Sequence, residues 1–495
     1  MLDGLLNAID FESTRSRSKR LAGTALNIAI LFFLIDWTLT LTKNNESLSL
    51  ILGLGIIGLW RHSWGVYNYL RAVRFRNFSK KKTSDYELLS QTQLVVIVTF
   101  YNQSEEDMAK VLRSLAEAFT LLPKRPLLII AYRTLKMPMV RSLIGDSAAV
   151  QFVPQTGRGK REAIADALVV AKQTIPANSI DGAHILLIDG DTVVTPQAIW
   201  ESMGVLDRRA EIGAVVVNEK PLTLGPPIFG VWRKLRSLQR HKMMMSMALS
   251  DRLLVLTGRF SMIRSSVLLP VSVASRIRHD YIQTDYAHIP FLTGDDKTTW
   301  LEVLRRGYGM TYLPNTFIYP IEHVNSNVNY FHHVYKLSLR YGGNMIRANL
   351  HDDAWSNVAR SPHLKYTLID QRVSMWTSLL SPTLLILLLV TGQFQYFIVF
   401  LTYLLIIKNV QAIAVGWLGN HYDPWFPYII FADQFIQSLA KIKSFSFLHH
   451  QSWNNQDISL QGDDQQLLDR KSSRVFVQRY LFFTLFFGFI YVLLI

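Results

Sequence analysis

Long apolar runs near both ends of the chain, with a strand-and-helix alternation between them, restrict the fold more than any other feature. Residues 21–42 form the first run, long enough to cross the roughly 30 Å hydrocarbon layer of a bilayer as a helix. Asp36 is its one acid. The basic residues before it, Arg15, Arg17, Lys19 and Arg20, resemble the start of a signal peptide. No small-residue cleavage site follows and a second apolar run soon begins, so an anchor is expected instead. That second run, 47 to about 70, is interrupted by Arg61 and His62, and the polar link KNNES joins the two as a hairpin. Basic residues on both outer flanks (15–20, and Arg71, Arg74, Arg76, Lys80, Lys81 and Lys82) place both flanks in the cytoplasm. After Ser374 the segments MWTSLLSPTLLILLLVTG and FQYFIVFLTYLLII predict a second hairpin. Residues 412–417 and 425–439 could span or lie in the interface, and VFVQRYLFFTLFFGFIYVLLI closes the chain as a further span.

Between these ends, from about 87 to 350, the pattern is that of an α/β domain with a mostly parallel sheet. LVVIVTF, RPLLIIAY, AVQFVPQ, HILLIDGD and AVVVNEK read as strands, and EEDMAKVLRSLAEAF and KREAIADALVVAKQT as helices between them. The expected plan is a basic segment and hairpin over 1–86, a cytoplasmic catalytic-type domain over 87–350, and interfacial and transmembrane helices over 351–495. Hydrophobic residues make up 49% of the 495 and the mean hydropathy is +0.16, high for a soluble enzyme and low for a pure transporter, so a soluble domain joined to membrane helices fits best. The absence of cysteine excludes disulfides, thiolate nucleophiles and cysteine-ligated zinc. A net charge of +15 suggests an anionic partner, but no nucleic-acid motif accompanies it, so a membrane surface is expected and nucleic acid is not.

Two acidic clusters carry the chemistry. Asp189-Gly190-Asp191 closes the apolar strand HILLID, and ligands of parallel sheets bind beyond strand carboxyl ends. Carboxylates two apart there can hold Mg²⁺ or Mn²⁺, or a nucleoside; the plain alternative is a turn with two exposed acids. Gly294-Asp295-Asp296-Lys297 precedes the helical pattern KTTWLEVLRRGY. A carboxylate there can deprotonate a hydroxyl, or simply favour the helix dipole. Asn102 and Ser104 follow the first strand, where they can cap a helix or meet a nucleotide. Gly157, Arg158, Gly159, Lys160 and Arg161 open a helix with glycines and cations suited to a diphosphate, although a basic helix start is often only solvated surface. Arg340 and Tyr341 offer a phosphate grip and a stacking ring. Arg372 and Trp376 offer a similar set, or a membrane-interface anchor. The pairs His332-His333 and His449-His450 lack the spacing for a metal on one helix face.

Taken in order, these segments resemble the processive family-2 glycosyltransferases, which include cellulose, hyaluronan and alginate synthases. The resemblance implies a GT-A-like α/β domain inserted between N- and C-terminal transmembrane helices. It implies that Asp189 and Asp191 bind the metal and donor nucleotide, and that Asp296 is the general base with Asp295 beside it. It further implies that Asn102, Lys160, Arg161, Arg340 and Tyr341 meet the donor. The segment VLTGRFSMIR, with Gly258, and Lys297 would meet the acceptor. Two departures stand out. The family's Gln-x-x-Arg-Trp spacing lands on Leu337-Ser338-Leu339-Arg340-Tyr341, and the acid that serves uracil in UDP-sugar users is missing from IIAYRTLKMP. GLWRHSWGVYNYLRA, LTGDDKTTW, RYGGNMIRANL, DQRVSMWTSLLSPT and HHQSWNNQ are most similar to the alginate (mannuronan) synthase branch. That branch implies GDP-mannuronate as donor and a growing β-1,4-linked polyuronate chain exported across a bacterial inner membrane. Arg470 and Arg474 match half of a cyclic di-GMP motif whose second half is missing, and are read as a membrane-flanking cluster. The resemblance implies that any cyclic-di-GMP control would need a separate cyclic-di-GMP-binding regulatory or copolymerase subunit, beside export proteins. The competing readings are a family-2 synthase using a UDP-sugar, a transfer of one sugar to a lipid carrier, and a catalytically silent export scaffold.

Overall fold

The structure, a computed structural model, describes residues 17–41, 46–82, 92–155, 159–176, 182–284, 288–351, 354–356, 361–451 and 473. Two compact units result: one from 17–67 and Met375–Ser438, the other from Asn68–Ser374 and 439–451.

The first helices are α1 (Arg17–Leu41) and α2 (Glu46–Lys82). The larger unit then alternates β1 (Leu94–Phe100), α3 (Glu105–Thr120), β2 (Leu127–Tyr132), α4 (Met137–Ile144), β3 (Ala149–Pro154), α5 (Lys160–Thr174) and β4 (His184–Asp189). It continues through β5 (Thr192–Val194), α6 (Pro196–Arg208), β6 (Ile212–Glu219), β7 (Leu222–Leu224), α7 (Pro227–Ala248) and β8 (Ser261–Arg264). After α8 (Ser265–Leu268), α9 (Val271–His279), β9 (Tyr281–Gln283) and β10 (His288–Pro290) come α10 (Asp295–Arg305), β11 (Gly309–His323), α11 (Tyr330–Leu350) and α12 (Pro362–Thr377). The remaining described helices are α13 (Leu380–Val390), α14 (Phe394–Gly419) and α15 (Phe426–Ser446).

One sheet runs in the order β3-β2-β1-β4-β8-β6-β11-β5, with β7 also on β11. The β3-β2-β1-β4 half is wholly parallel, in a register that sets Thr99 opposite Asp189. The physical reason lies in composition: β1 is buried at every position, and strands covered on both faces are continuous apolar runs rather than alternating ones. α3 covers this sheet through Met108, Val111, Leu112, Leu115, Ala118 and Phe119, spaced three and four apart. Ser104 caps it by accepting from the Asp107 amide, with Glu105, Glu106 and Asp107 in its first turn. The five strands and two helices expected from sequence are present. Not foreseen were β8, which runs antiparallel between β4 and β6, and the fifteen-residue β11.

In the smaller unit α13 and α14 form the expected hairpin, turning at Gly392 (φ +74°). Among the described residues, three helical stretches are long and apolar enough to cross a membrane: Arg20–Leu41, Pro362–Val390 and Phe394–Gly419. Residues 412–417 prove to be the end of α14, and 425–439 fall mostly within α15. Arg61 and His62 do not break the second run, because α2 passes through both and their side chains find partners: Arg61 donates to Thr377 and Ser378 (2.8 and 2.6 Å), and His62 bonds Tyr403 (2.9 Å). α1 meets α14 through Thr38 and Thr402 (3.0 Å). Gly23 allows it to approach Pro424, which a Cβ would meet at 2.6 Å. The proposed last span and Arg470 and Arg474 lie outside the described residues.

Candidate active site

The carboxyl end of β4 delivers Asp189 to the edge of the sheet, and the chain reverses at once into β5. That turn requires Gly190, whose Cβ would stand 2.5 Å from Phe100 Cδ1 and 2.6 Å from Thr99 O. The Gly190 amide donates to the same Thr99 carbonyl at 3.1 Å. Asp191 follows, half-buried, accepting from Thr192 Oγ1 at 3.1 Å. Burial and the neighbouring Asp189 charge push Asp191 up to about 6.

Lys160 is the first residue of α5, entered through Gly159 at φ +101°. Its Nζ lies 2.5 Å from Asp189 Oδ1 and 3.0 Å from Asp295 Oδ2, so one ammonium joins the two acidic clusters. Burial works against its charge, but Asp189 and Asp295 outweigh burial and keep Lys160 protonated. Gly258 closes over this contact: a Cβ there would stand 2.8 Å from Lys160 Nζ and 3.3 Å from Asp189 Oδ2. A small cavity is lined by Thr99, Lys160, Gly258, Asp295, Asp296 and Thr299.

The second cluster does not precede a helix, as the sequence suggested, but begins one. α10 starts at Asp295, after Gly294 at φ +85°. Left-handed backbone there favours glycine, and the Gly294 carbonyl accepts the first helical bonds from Lys297 and Thr298 (2.9 and 3.3 Å). Asn344 on α11 holds this entry, accepting from Thr293 Oγ1 (2.6 Å) and Arg347 Nη2 (2.7 Å). Burial, then the charges of Asp295 and Asp189, push Asp296 up, while Lys297 and Lys160 pull the other way without cancelling them. Burial lowers Lys297.

The other expected residues separate. Asn102 stands exposed on the turn between β1 and α3. Arg161 turns into the interior, donating to Ile277 O and Thr298 Oγ1, both at 2.8 Å, and is 4% exposed. Adjacent residues of a helix point about 100° apart, so Lys160 and Arg161 cannot both face Asp189. Arg340 donates to the Tyr341 hydroxyl at 3.0 Å, and Arg233 reaches it at 3.4 Å. Burial opposes ionisation of that phenol, but Arg233, Arg340 and Arg259 bring it down to about 7. Arg372 is committed elsewhere: it donates to the Asn349 side chain and carbonyl (2.7 and 2.8 Å) at the end of α11 and covers the Trp355 ring.

Sequence reasoning missed an arginine–glutamate network beside Asp191. Glu322 pairs with Arg233 and Arg259, and Glu219 with Arg259 (3.3 Å) and Arg240 (2.8 Å). The signal was present, since Glu219 ends β6 and Glu322 lies near the end of β11, as Asp189 ends β4. Among the described residues no three His, Asp or Glu side chains converge to hold a metal alone. Asp189 and Asp191 nevertheless suit a cation whose other ligands are diphosphate oxygens, because bound Mg²⁺ commonly needs only one or two carboxylates. Burial is the larger cause of the raised Asp191, and the Asp189 repulsion that adds to it is what such a cation would relieve.

Glycosyltransferase alg8 of Pseudomonas syringae pv. tomato is 28% identical over 455 residues, covering 89% of this chain and 91% of its own. Glycosyltransferase alg8 of Azotobacter vinelandii is 28% identical over 429 residues, covering 84% and 86%. Among solved structures, mannosyltransferase PcManGT of Pyrobaculum calidifontis in complex with GDP-Man and Mn²⁺ aligns at a TM-score of 0.43 and 13% identity, over 80% of this chain and 98% of that one. Residues 92–344 match the family described as glycosyltransferase like family 2. With its mostly parallel GT-A-like sheet, the chain belongs to that family and is a glycosyltransferase.

Proposed function

We propose that this protein is a membrane-embedded, processive, inverting glycosyltransferase that polymerises mannuronate from GDP-mannuronate into β-1,4-linked mannuronan and exports it across a bacterial inner membrane. The single observation that carries the catalytic part is Lys160 bridging Asp189 and Asp295, which brings the donor-type and base-type clusters into one site. The name of the two relatives and the quoted segments support the alginate branch.

In this reading Asp189 and Asp191 hold Mg²⁺ or Mn²⁺, which when bound neutralises charge on the departing diphosphate. Lys160 orients the carboxylates, Arg340 and Arg233 supply positive potential for the nucleotide, and Tyr341 offers a ring for stacking. Gly258 and Lys297 border the acceptor. Asp296 accepts the proton of the acceptor hydroxyl as that oxygen bonds to C1 of the donor. The C1–O bond to GDP breaks on the opposite face, so the configuration inverts. A base held above the ordinary carboxylate range is better matched to this task near neutral pH than an exposed aspartate. Residues 87–350 form the cytoplasmic domain, and cyclic di-GMP control would enter through a separate subunit.

The test is a radiolabelled donor panel on purified membranes, followed by linkage analysis. Polymer from GDP-mannuronate, with β-1,4 linkage, is expected. Incorporation from a UDP-sugar and none from GDP-mannuronate would overturn the substrate and favour another β-linked polysaccharide.

A further inference from the structure

The helix α14 carries Lys408 fourteen residues from one end and eleven from the other, about 21 and 17 Å along the axis. That is the middle of a candidate membrane span, and the side chain is only 8% exposed. α14 is also the most enclosed of the three candidate spans, with 44% of its apolar window buried against 11% for each of the others. An ammonium at such depth is costly, and ionisable groups there mark substrate paths or pair with one another.

The partners of Lys408 do not balance its charge. Its Nζ donates to Gln434 Oε1 at 2.6 Å and to Gln411 Oε1 at 3.4 Å, both neutral amide carbonyls. Among the described residues no carboxylate makes an ion pair with it. Asp433, one position before Gln434 on α15, accepts from Gln437 instead. A second cation, Arg61 on α2, is bonded to the hydroxyls of Thr377 and Ser378, and its charge acts on Lys408. His62, next along α2, bonds the Tyr403 hydroxyl of α14. These contacts make the inner face of the helices polar, and Lys408 lies there without a carboxylate ion pair among the described residues.

We propose that Lys408 is a binding contact for the uronate carboxylates of the growing chain as it passes through the membrane-spanning helices. The inference rests on the polyuronate reading above. A neutral glycan would leave the buried ammonium uncompensated, whereas a polyuronate brings one carboxylate with every residue. Gln434 and Gln411 then hold the ammonium in place between successive carboxylates without neutralising it.

Two variants test this: Lys408→Gln, which removes the charge, and Gln434→Glu, which installs a permanent counter-charge beside an intact lysine. Product length is measured by size-exclusion chromatography, and addition to a short uronate acceptor is measured separately. Both variants should shorten the polymer several-fold and leave short-acceptor transfer within about two-fold, and Lys408→Arg should restore length. If Lys408 is only structural, Gln434→Glu supplies a salt bridge and leaves length unchanged; that result overturns the proposal. So does wild-type length from Lys408→Gln. If the wild-type enzyme makes a neutral polymer from a neutral donor, the functional reading itself has failed, and that outcome is seen before any variant is made.

Discussion

Gly258→Ala is a one-carbon perturbation aimed at the contact that joins the two acidic clusters. The new Cβ would lie 2.8 Å from Lys160 Nζ and 3.3 Å from Asp189 Oδ2. The carboxylate is fixed to β4, so the flexible ammonium must give. Retreat by roughly half an ångström restores ordinary contact but stretches bonds now at 2.5 and 3.0 Å. Overpacking of this kind typically costs about 1–3 kcal/mol. Expressed in binding, that is roughly a 5- to 150-fold weaker donor or GDP affinity. Isothermal titration of GDP into the purified, detergent-solubilised enzyme measures it, with the thermal midpoint recorded beside it. Lys160→Met removes Nζ while keeping most of the stem, so Gly258→Ala should cost little in that background. A double-mutant cycle with a coupling above about 1 kcal/mol is expected. Fully additive losses would refute the reasoning, because the alanine would then be acting on something other than Lys160.

Four further outcomes can be checked. Asp296→Asn should keep donor affinity within a few-fold and lose roughly 10²–10⁴ in turnover; if it retains turnover while Asp295→Asn is inactive, the base is Asp295. Because burial and neighbouring acids raise Asp296, the base is lost on the acid side at a higher pH than an exposed aspartate would allow. The acid limb of kcat/KM should accordingly lie above the ordinary aspartate range near pH 4, and a limb at that value would contradict the assignment. Asp189→Ala, Asp191→Ala or chelation should abolish synthesis, and unchanged polymer yield in EDTA would exclude the metal. A reporter active only in the periplasm, fused near residue 200, should stay silent, and a strong signal would invert the topology.

Much of the fold was readable because its signals are local. LVVIV and ILLI are unbroken apolar runs, as suits strands covered on both faces, and SEEDMAKVLRSLAEAF carries both its cap and its buried stripe within one segment. What could not be read depends on contacts distant in sequence. Arg161 looked equivalent to Lys160 until Ile277 and Thr298 claimed it from over a hundred residues away. Arg372 resembled a donor-binding arginine, but Asn349 and Trp355 hold it at the end of α11. β8 escaped notice because SMIR is short and its pairing with β4 and β6 is set by the sheet.

The electrostatics of the site also follow from that long-range assembly. Asp189, Asp191, Asp295 and Asp296 would repel one another if left alone, and Lys160 offsets only part of that repulsion. On the other side of Asp191, Glu219 and Glu322 are shared among Arg233, Arg240 and Arg259, leaving cationic charge in excess, and Arg340 adds to it. The carboxylate side suits a metal and a proton acceptor, and the arginine side suits a diphosphate. Negative charge arriving on a nucleotide therefore relieves strain on one side while a cation relieves it on the other. Removing either ligand should weaken the other, so GDP affinity measured with and without Mn²⁺ should differ by at least ten-fold, roughly 1.4 kcal/mol of coupling. Equal affinities would mean that Asp189 and Asp191 do not meet the diphosphate through a shared cation.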